Sequence, residues 1–318
     1  MDEHGLIYRF LTHLMLLGAT FFWGLNPMVM KIGLEELQPF PFNTLRLFFG
    51  VVIAFPFLLL SRTWKPVQKK DLPQFLIVSI FGFFLFQFCY SIGVAAASAS
   101  VASIILGTLP INVALISRIF RIERLTRLKI SGIIATFIGV VLIAAGRNSG
   151  FNMQGTYLWG VLLLEIAEIG YATFTVSIKP LTARYSSNQI VFIVMSISLI
   201  LFALYSLPVY GVEVYRDIQP LTWGSAVFSG IFALILGNIL WSTGIKRIGS
   251  TNTSVYGNLQ PVFGVGAAIL ILHETLSALQ IAGAAVILIG VALVNRKQQT
   301  GAGFSSVSRS EPASPDTD

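Results

Sequence analysis

Charge is what this chain lacks. Only 11% of its 318 residues are Asp, Glu, Lys or Arg, where a water-soluble domain carries about 25%. That is too little polar surface to cover a globule of this length in water. Cysteine is almost absent as well. Cys89 stands alone, which excludes an intramolecular disulfide and a thiolate metal site. With 3 histidines and no Gly-Lys-Ser/Thr phosphate loop, the chain offers no metal site, no cysteine–histidine pair and no ATPase. No cofactor is expected and no enzyme is indicated. Any work the protein does must draw on an ion or substrate gradient.

Apolar residues are what it has: 55% of the chain, with a mean hydropathy of +0.78. Lipid is the solvent that suits such a composition, and a spanning helix needs about 20 mostly apolar residues. Ten runs qualify, at about Leu14–Gly33, Phe42–Leu60, Pro73–Gly93, Ala97–Ser117, Leu128–Gly146, Thr156–Ile178, Asn188–Pro208, Trp223–Ile245, Thr251–Leu272 and Leu276–Asn295. The first run ends in Met28, Val29, Met30 and Lys31 instead of small residues, so it reads as a retained helix and not a cleaved signal. The tail 297–318, rich in Ser, Gly, Gln and Pro, is expected to be disordered.

The chain also says one thing twice. Shifted by 151 positions, Ser91 meets Ser242, Gly93 meets Gly244, Ser103 meets Ser254 and Pro110 meets Pro261. Glu123 then meets Glu274, Leu125 meets Leu276, Gly132 meets Gly283, Gly139 meets Gly290 and Val140 meets Val291. Apolar bias alone would not align Pro, Glu and Gly at one offset, so this is an internal repeat.

Basic residues orient the helices. The loops after helices two, four, six and eight hold Arg62, Lys65, Lys69 and Lys70; Arg118, Arg121, Arg124, Arg127 and Lys129; Lys179 and Arg184; and Lys246 and Arg247. Arg9, Arg296, Lys297 and Arg309 lie on the same side, while the alternate loops hold only Arg147 and Arg216. This places both termini in the cytoplasm. It also accounts for the net charge of +7 as topology, and nucleic acid is not expected as a partner. Five helices per half is an odd number, so the second copy enters the membrane from the opposite face. The expected fold is an all-α integral membrane protein of ten transmembrane helices in two inverted five-helix repeats. The repeats occupy 14–147 and 156–296, with a cytoplasmic segment 1–13 ahead of them. Glu123 then faces the cytoplasm and Glu274 the outside. Inverted repeats of this kind place a transport site near mid-depth between the halves.

At this point the chain resembles the EamA-like exporters of the drug/metabolite transporter superfamily. The residues that carry the resemblance are Trp23-Gly24-Leu25-Asn26-Pro27, Thr44-Leu45-Arg46, and Pro110 with Glu123. The second copy adds Asn258-Leu259-Gln260-Pro261 and His273-Glu274-Thr275-Leu276. The resemblance covers about 14–296. It implies ten helices, inverted repeats and export of small metabolites or amino acids through a central cavity, in a bacterial inner membrane.

Glu165 and Glu168 stand out chemically. They fall in the sixth run, roughly 13 Å below its outer end at 1.5 Å per residue, and three positions apart they share a helical face. Lipid exposure is costly for carboxylates, so they should face the interior. Two neighbouring carboxyls in a low dielectric resist ionising together, which suits exchange of a proton for a cation. The bland alternative is a polar pair bonded to neighbouring helices. Arg46 is either a partner for helix six or an anion contact, or it snorkels to the interface. Gln87 and Tyr90, with their repeat equivalents Asn238 and Trp241, place amide and aromatic groups symmetrically in both halves; with Trp23 and Asn26 they suit a cavity lining, or else simply bond helix to helix. Tyr171 could extend the helix-six site. Pro27, Pro110 and Pro261 are expected kinks. The glycines of helices five and ten read as close-packing faces.

The leading expectation is a proton-coupled exporter of amino acids, amines or related cationic or zwitterionic compounds, working by alternating access. Its partners are the small-molecule cargo, the lipid bilayer and a proton, and a homodimer stays open. The alternatives are an exchanger of nucleotide-sugar or phosphate-ester type, which wants Lys or Arg at mid-depth, and a membrane scaffold or enzyme that does not transport.

Overall fold

The computed structural model describes residues 3–122, 126–146 and 156–295. Glu123, Leu125, Arg147 and the tail beyond Asn295 lie outside them. Ten helical units follow one another among the described residues. They are α1 (Glu3–Gly33), α2 (Pro39–Ser61), α3 (Lys69–Ala96), α4 in two pieces (Ala99–Leu106 and Leu109–Ile119) and α5 (Arg127–Ala145). The second half gives α6 (Thr156–Thr182), α7 (Ser187–Tyr210), α8 (Pro220–Ile248), α9 (Ser250–Leu272) and α10 (Ala278–Asn295). No strand occurs among the described residues.

The protein is a multi-pass integral membrane protein. Eight of these helices are long and apolar enough to cross a membrane, and α4, bent by 43° at its break, makes a ninth. The remaining one, α10, is apolar but has 18 residues, a rise of about 27 Å against a hydrocarbon core of about 30 Å. Length and composition alone thus count eight or nine crossings where the sequence led to ten. The outer surface carries bare aliphatic and aromatic groups, Leu60 at 80% and Leu270 at 77% exposure among them. Such a surface suits acyl chains and not water.

The internal repeat is also a structural one. Helix α3 contains a wide π segment at Val78–Phe84, and α8 contains one at Ser229–Gly237. Those starts are one repeat length apart. Helix α4 breaks at Gly107–Thr108 ahead of Pro110, and α9 tightens over Val255–Leu259 ahead of Pro261. Both prolines stand in the first turn of the helix that resumes, where a missing N–H costs nothing. Pro27, by contrast, lies within α1.

Helices α5 and α10 reveal the direction of the repeat. A Cβ placed on Gly139 would lie 2.7 Å from the Gly283 carbonyl oxygen, and one on Gly290 would lie 2.6 Å from that of Gly132. Gly283 is the repeat partner of Gly132, and Gly290 that of Gly139. Each glycine therefore meets its partner's neighbour, as a two-fold axis across antiparallel helices requires. Close backbone approach through small residues is how helices pack tightly in lipid.

The turns gather at two opposite ends. At one, Arg247 donates to Thr12 at 3.0 Å, Thr63 to Ser186 at 3.0 Å, and Arg184 pairs with Asp71 at 2.8 Å. At the other, Lys31 caps the C-terminus of α3, donating to the carbonyls of Val94, Ala95 and Ala97. A cation at a helix C-terminus meets the negative end of its dipole. Glu274 accepts from the N–H groups of Ala99 and Ser100, both at 2.8 Å, and so caps the start of α4. Even-numbered turns and odd-numbered turns separate in this way, as alternating crossings demand. Among the described residues, the basic turns after α2, α6 and α8 belong to the first end.

Candidate functional site

The two halves enclose a cavity at the level of the π segments. Helix α1 contributes Trp23 and Asn26, α2 Arg46, α3 Phe86, Gln87 and Tyr90, and α4 Leu106. From the second half come Glu168 and Tyr171 on α6, Ala233, Leu234 and Asn238 on α8, and Gln260 on α9. The space open to water centres is about 30 Å³, enough for a few waters. A metabolite would need the helices to part.

The side chains that form its walls are held by specific bonds. Asn26 donates to the Tyr90 hydroxyl at 3.1 Å, and its carbonyl oxygen accepts from Ser229 at 2.5 Å. The Tyr171 hydroxyl donates to Asn238 Oδ1 at 2.9 Å, while Asn238 Nδ2 donates to the Leu234 carbonyl at 2.8 Å. Trp23 Nε1 donates to the Ala233 carbonyl at 2.8 Å. A π segment frees carbonyls from the helical ladder, and side chains from both halves satisfy these two. Trp23 lies edge-on to Tyr171 at 5.3 Å, and Phe86 stacks on Tyr90 at 5.0 Å. The walls are aromatic, and their amide groups are mostly engaged.

Two charged groups are not so engaged. Glu168 is 2% exposed, and its Oε2 has no hydrogen-bond partner. Arg46 is 1% exposed; it donates to Gln87 Oε1 at 3.1 Å and touches Met30 Sδ, while its Nε has no partner. No ion pair joins the two among the described residues. The Arg46 guanidinium carbon lies 6.0 Å from the centre of the Tyr90 ring. Arg46 does not snorkel: it starts far enough along α2 to reach the cavity, and its guanidinium stays inside the bundle.

The structure separates the two glutamates. Glu165 turns to α4, where Asn112 Nδ2 donates to it at 2.8 Å and Thr108 Oγ1 at 3.2 Å. It ties α6 to the point where α4 breaks and is not part of the cavity wall. Trp241 stands behind the wall too, with its Nε1 donating to Thr175 at 3.1 Å and its ring 4.8 Å from that of Trp23. Of the expected residues, Trp23, Asn26, Arg46, Gln87, Tyr90, Glu168, Tyr171 and Asn238 converge on one cavity. Sequence reasoning missed Gln260, Thr108 and Asn112. Polar side chains flanking Pro261 and Pro110 were the available signal, since a helix break is where polar groups gather in a membrane. No cluster of metal-ligating side chains occurs among the described residues.

Comparison with known proteins fits this architecture. The model of the "EamA-like transporter family" matches residues 10–145 and 158–296. An "Uncharacterized transporter" of Archaeoglobus fulgidus is 29% identical over 282 residues, covering 87% of this chain and 96% of its own. A "Probable amino-acid metabolite efflux pump" of Salmonella typhimurium is 28% identical over 277 residues, covering 85% of this chain and 89% of its own. One crystal structure superposes with a TM-score of 0.64 over 89% of this chain and 98% of its own, at 19% identity. That likeness is one of fold.

Proposed function

We propose, from the premise that this chain belongs to the EamA-like transporter family and is a membrane transporter, that it exports small metabolites in exchange for protons. The cargo is amino acids, amines or related cationic or zwitterionic compounds, and the cavity between the halves is its binding site. The observation that carries this reading is Glu168, a buried carboxyl group among the residues that line an aromatic-walled cavity, with one oxygen that has no hydrogen-bond partner. An unpaired carboxylate in a low-dielectric interior is costly, whereas a proton or a cation relieves it. A group that accepts either, one at a time, couples their movements. The efflux-pump name of the Salmonella relative agrees with this direction and class.

The transport cycle follows from the repeat. With ten crossings, α10 being the tenth, and both termini cytoplasmic, the inverted halves exchange conformations and open the cavity to each side in turn. Residues 1–13 are the cytoplasmic lead-in, 14–147 and 156–296 the two repeats, and 297–318 a disordered tail, in a bacterial inner membrane. The break ahead of Pro110, the tightened stretch ahead of Pro261 and Pro27 within α1 are where the helices bend in this cycle.

A phosphate-ester exchanger gains one observation, since Arg46 reaches the cavity. Glu168 on the same wall opposes it: a dianion beside an unpaired carboxylate would be repelled. Purified protein in proteoliposomes, loaded with a panel of labelled metabolites, tests the proposal with and without an imposed pH gradient. Efflux of amino acids or amines that accelerates when the outside is acidic is the expected result. Transport of phosphate esters alone, or transport of any cargo that ignores the gradient, would overturn it.

A further inference from the structure

We infer that a crevice on the lipid-facing side of α2, α3 and α7 is a binding site for one acyl chain of a membrane phospholipid. The inference needs only a multi-pass membrane protein, and it does not depend on the cargo reading.

Six side chains line the crevice: Phe40 of α2, Phe84 and Phe88 of α3, and Leu201, Phe202 and Tyr205 of α7. Its volume is about 250 Å³, against about 30 Å³ for the cavity between the halves. Four phenylalanine rings close a circuit around it. Phe40 lies 5.4 Å from Phe88, Phe88 6.1 Å from Phe84, Phe84 5.0 Å from Phe202 and Phe202 6.1 Å from Phe40. Phe202, 1% exposed, forms the floor, and Tyr205, 49% exposed, stands at the rim. The crevice continues the acyl-facing surface: Phe81, one turn from Phe84, is 62% exposed, and Leu204, beside Tyr205, is 69% exposed. At 1.5 Å per residue, Tyr205 lies roughly 8 Å from the end of α7 and Phe84 roughly 18 Å from the end of α3. Both of those helix ends belong to the side where Lys31 caps α3. The crevice therefore runs at the depth of one leaflet's acyl chains.

Chemistry selects the occupant. A buried water needs two to four polar partners, and the lining side chains offer one, the Tyr205 hydroxyl at the rim. Left empty, the rings would lose dispersion contacts on one face. A polar cargo gains nothing there. A helix of a second copy, about 10 Å across, is too broad to reach Phe202, whereas a polymethylene chain is slender enough. The Tyr205 hydroxyl, at the shallow end, can donate to the ester carbonyl from which the chain begins.

The site belongs to one half. The repeat equivalents of the six residues are Val191, Ile235, Ile239, Gly50, Val51 and Ala54, with no aromatic ring among them. Val191, Ile235 and Ala54 are 2%, 4% and 4% exposed, and a Cβ on Gly50 would lie 3.6 Å from Ile235. The same joint in the other half is packed shut, so the duplicated frame does not account for the crevice.

Purified protein in nanodiscs, doped with a phospholipid that carries a diazirine midway along one acyl chain, provides the test. After photolysis, mass spectrometry maps the adducts. A specific site fills at low probe fraction while the lipid annulus takes up probe in proportion, so adducts on 81–88 and 201–205 should saturate and, at the lowest fraction, exceed those at Leu60 and Leu270 by about tenfold. Leu201→Trp, which fills the crevice, should remove the saturating component and leave labelling at Leu60 and Leu270 unchanged; Phe88→Trp repeats the test from α3. Adducts that rise linearly everywhere in the wild type overturn the inference. So does saturating labelling that survives both variants. Displacement of the probe by the panel cargo, or labelling that vanishes in discs holding two copies, would assign the crevice to cargo or to a second chain and overturns it as well.

Discussion

The two halves of this protein agree in frame and differ in charge. Helices α3 and α8 widen at matched positions, and α4 breaks and α9 tightens before matched prolines. Gly132 and Gly139 face Gly290 and Gly283 across the axis. Gln87 and Asn238 are repeat partners and line the same cavity. The charged groups have no such partners. Glu165 and Glu168 correspond to Leu14 and Leu17 in the first half, and Arg46 corresponds to Ile197 in the second. In the proposed cycle the duplicated frame would supply two conformations that mirror each other across the membrane, while the single set of charges gives the cavity an asymmetry that the frame lacks.

The largest effect should come from breaking the asymmetric part. Glu168→Gln should reduce transport by about 100-fold or more, with the protein still inserted and monodisperse in detergent. Leu17→Ala at its repeat partner should leave the rate within about twofold. The symmetric part gives the next test. Gly139→Leu and Gly283→Leu drive a side chain into a facing backbone, and overpacking of this kind costs about 1–3 kcal/mol. Both should lower the melting temperature in detergent, and by similar amounts; a large difference between them would mean that the axis between α5 and α10 is not equivalent from its two sides.

Glu165→Gln should be milder than Glu168→Gln, about tenfold in rate, because an amide still accepts from Asn112 or Thr108 with its carbonyl oxygen. Equal losses in the two variants would show that the pair acts as one unit. Trp241→Phe should be smallest. It removes the hydrogen bond to Thr175, and interhelical bonds of this kind contribute about 0.6 kcal/mol on average.

Much of the frame was legible in the sequence because it is written in residues that a repeat cannot hide. Glycine and proline at a fixed offset mark close packing and helix breaks whatever the surrounding apolar bias. Helix limits were less legible. The first helix begins at Glu3 and not Leu14, since hydropathy detects immersion in lipid and a helix need not stop at its surface. The cavity-lining residues were found as polar or aromatic interruptions of apolar runs. Their division of labour was not. Spacing puts Glu165 and Glu168 on one face of α6, yet α4 packs against one of them and the cavity opens at the other. Which neighbour arrives at a given turn is settled by packing of distant elements. Arg46 was ambiguous for the same reason: depth along a helix does not say whether a long side chain bends outward or inward.

Thiol protection measures the central claim most directly. In a Cys89→Ala background, Asn26→Cys places a reactive group on the cavity wall, and Ser177→Cys places one at the repeat-equivalent position on α6. Labelling of each by a membrane-permeant maleimide is followed with and without the panel cargo. The account predicts that cargo slows labelling of Asn26→Cys several-fold and leaves Ser177→Cys unchanged. Equal protection at both positions, or none at Asn26→Cys in protein that still transports, would contradict it.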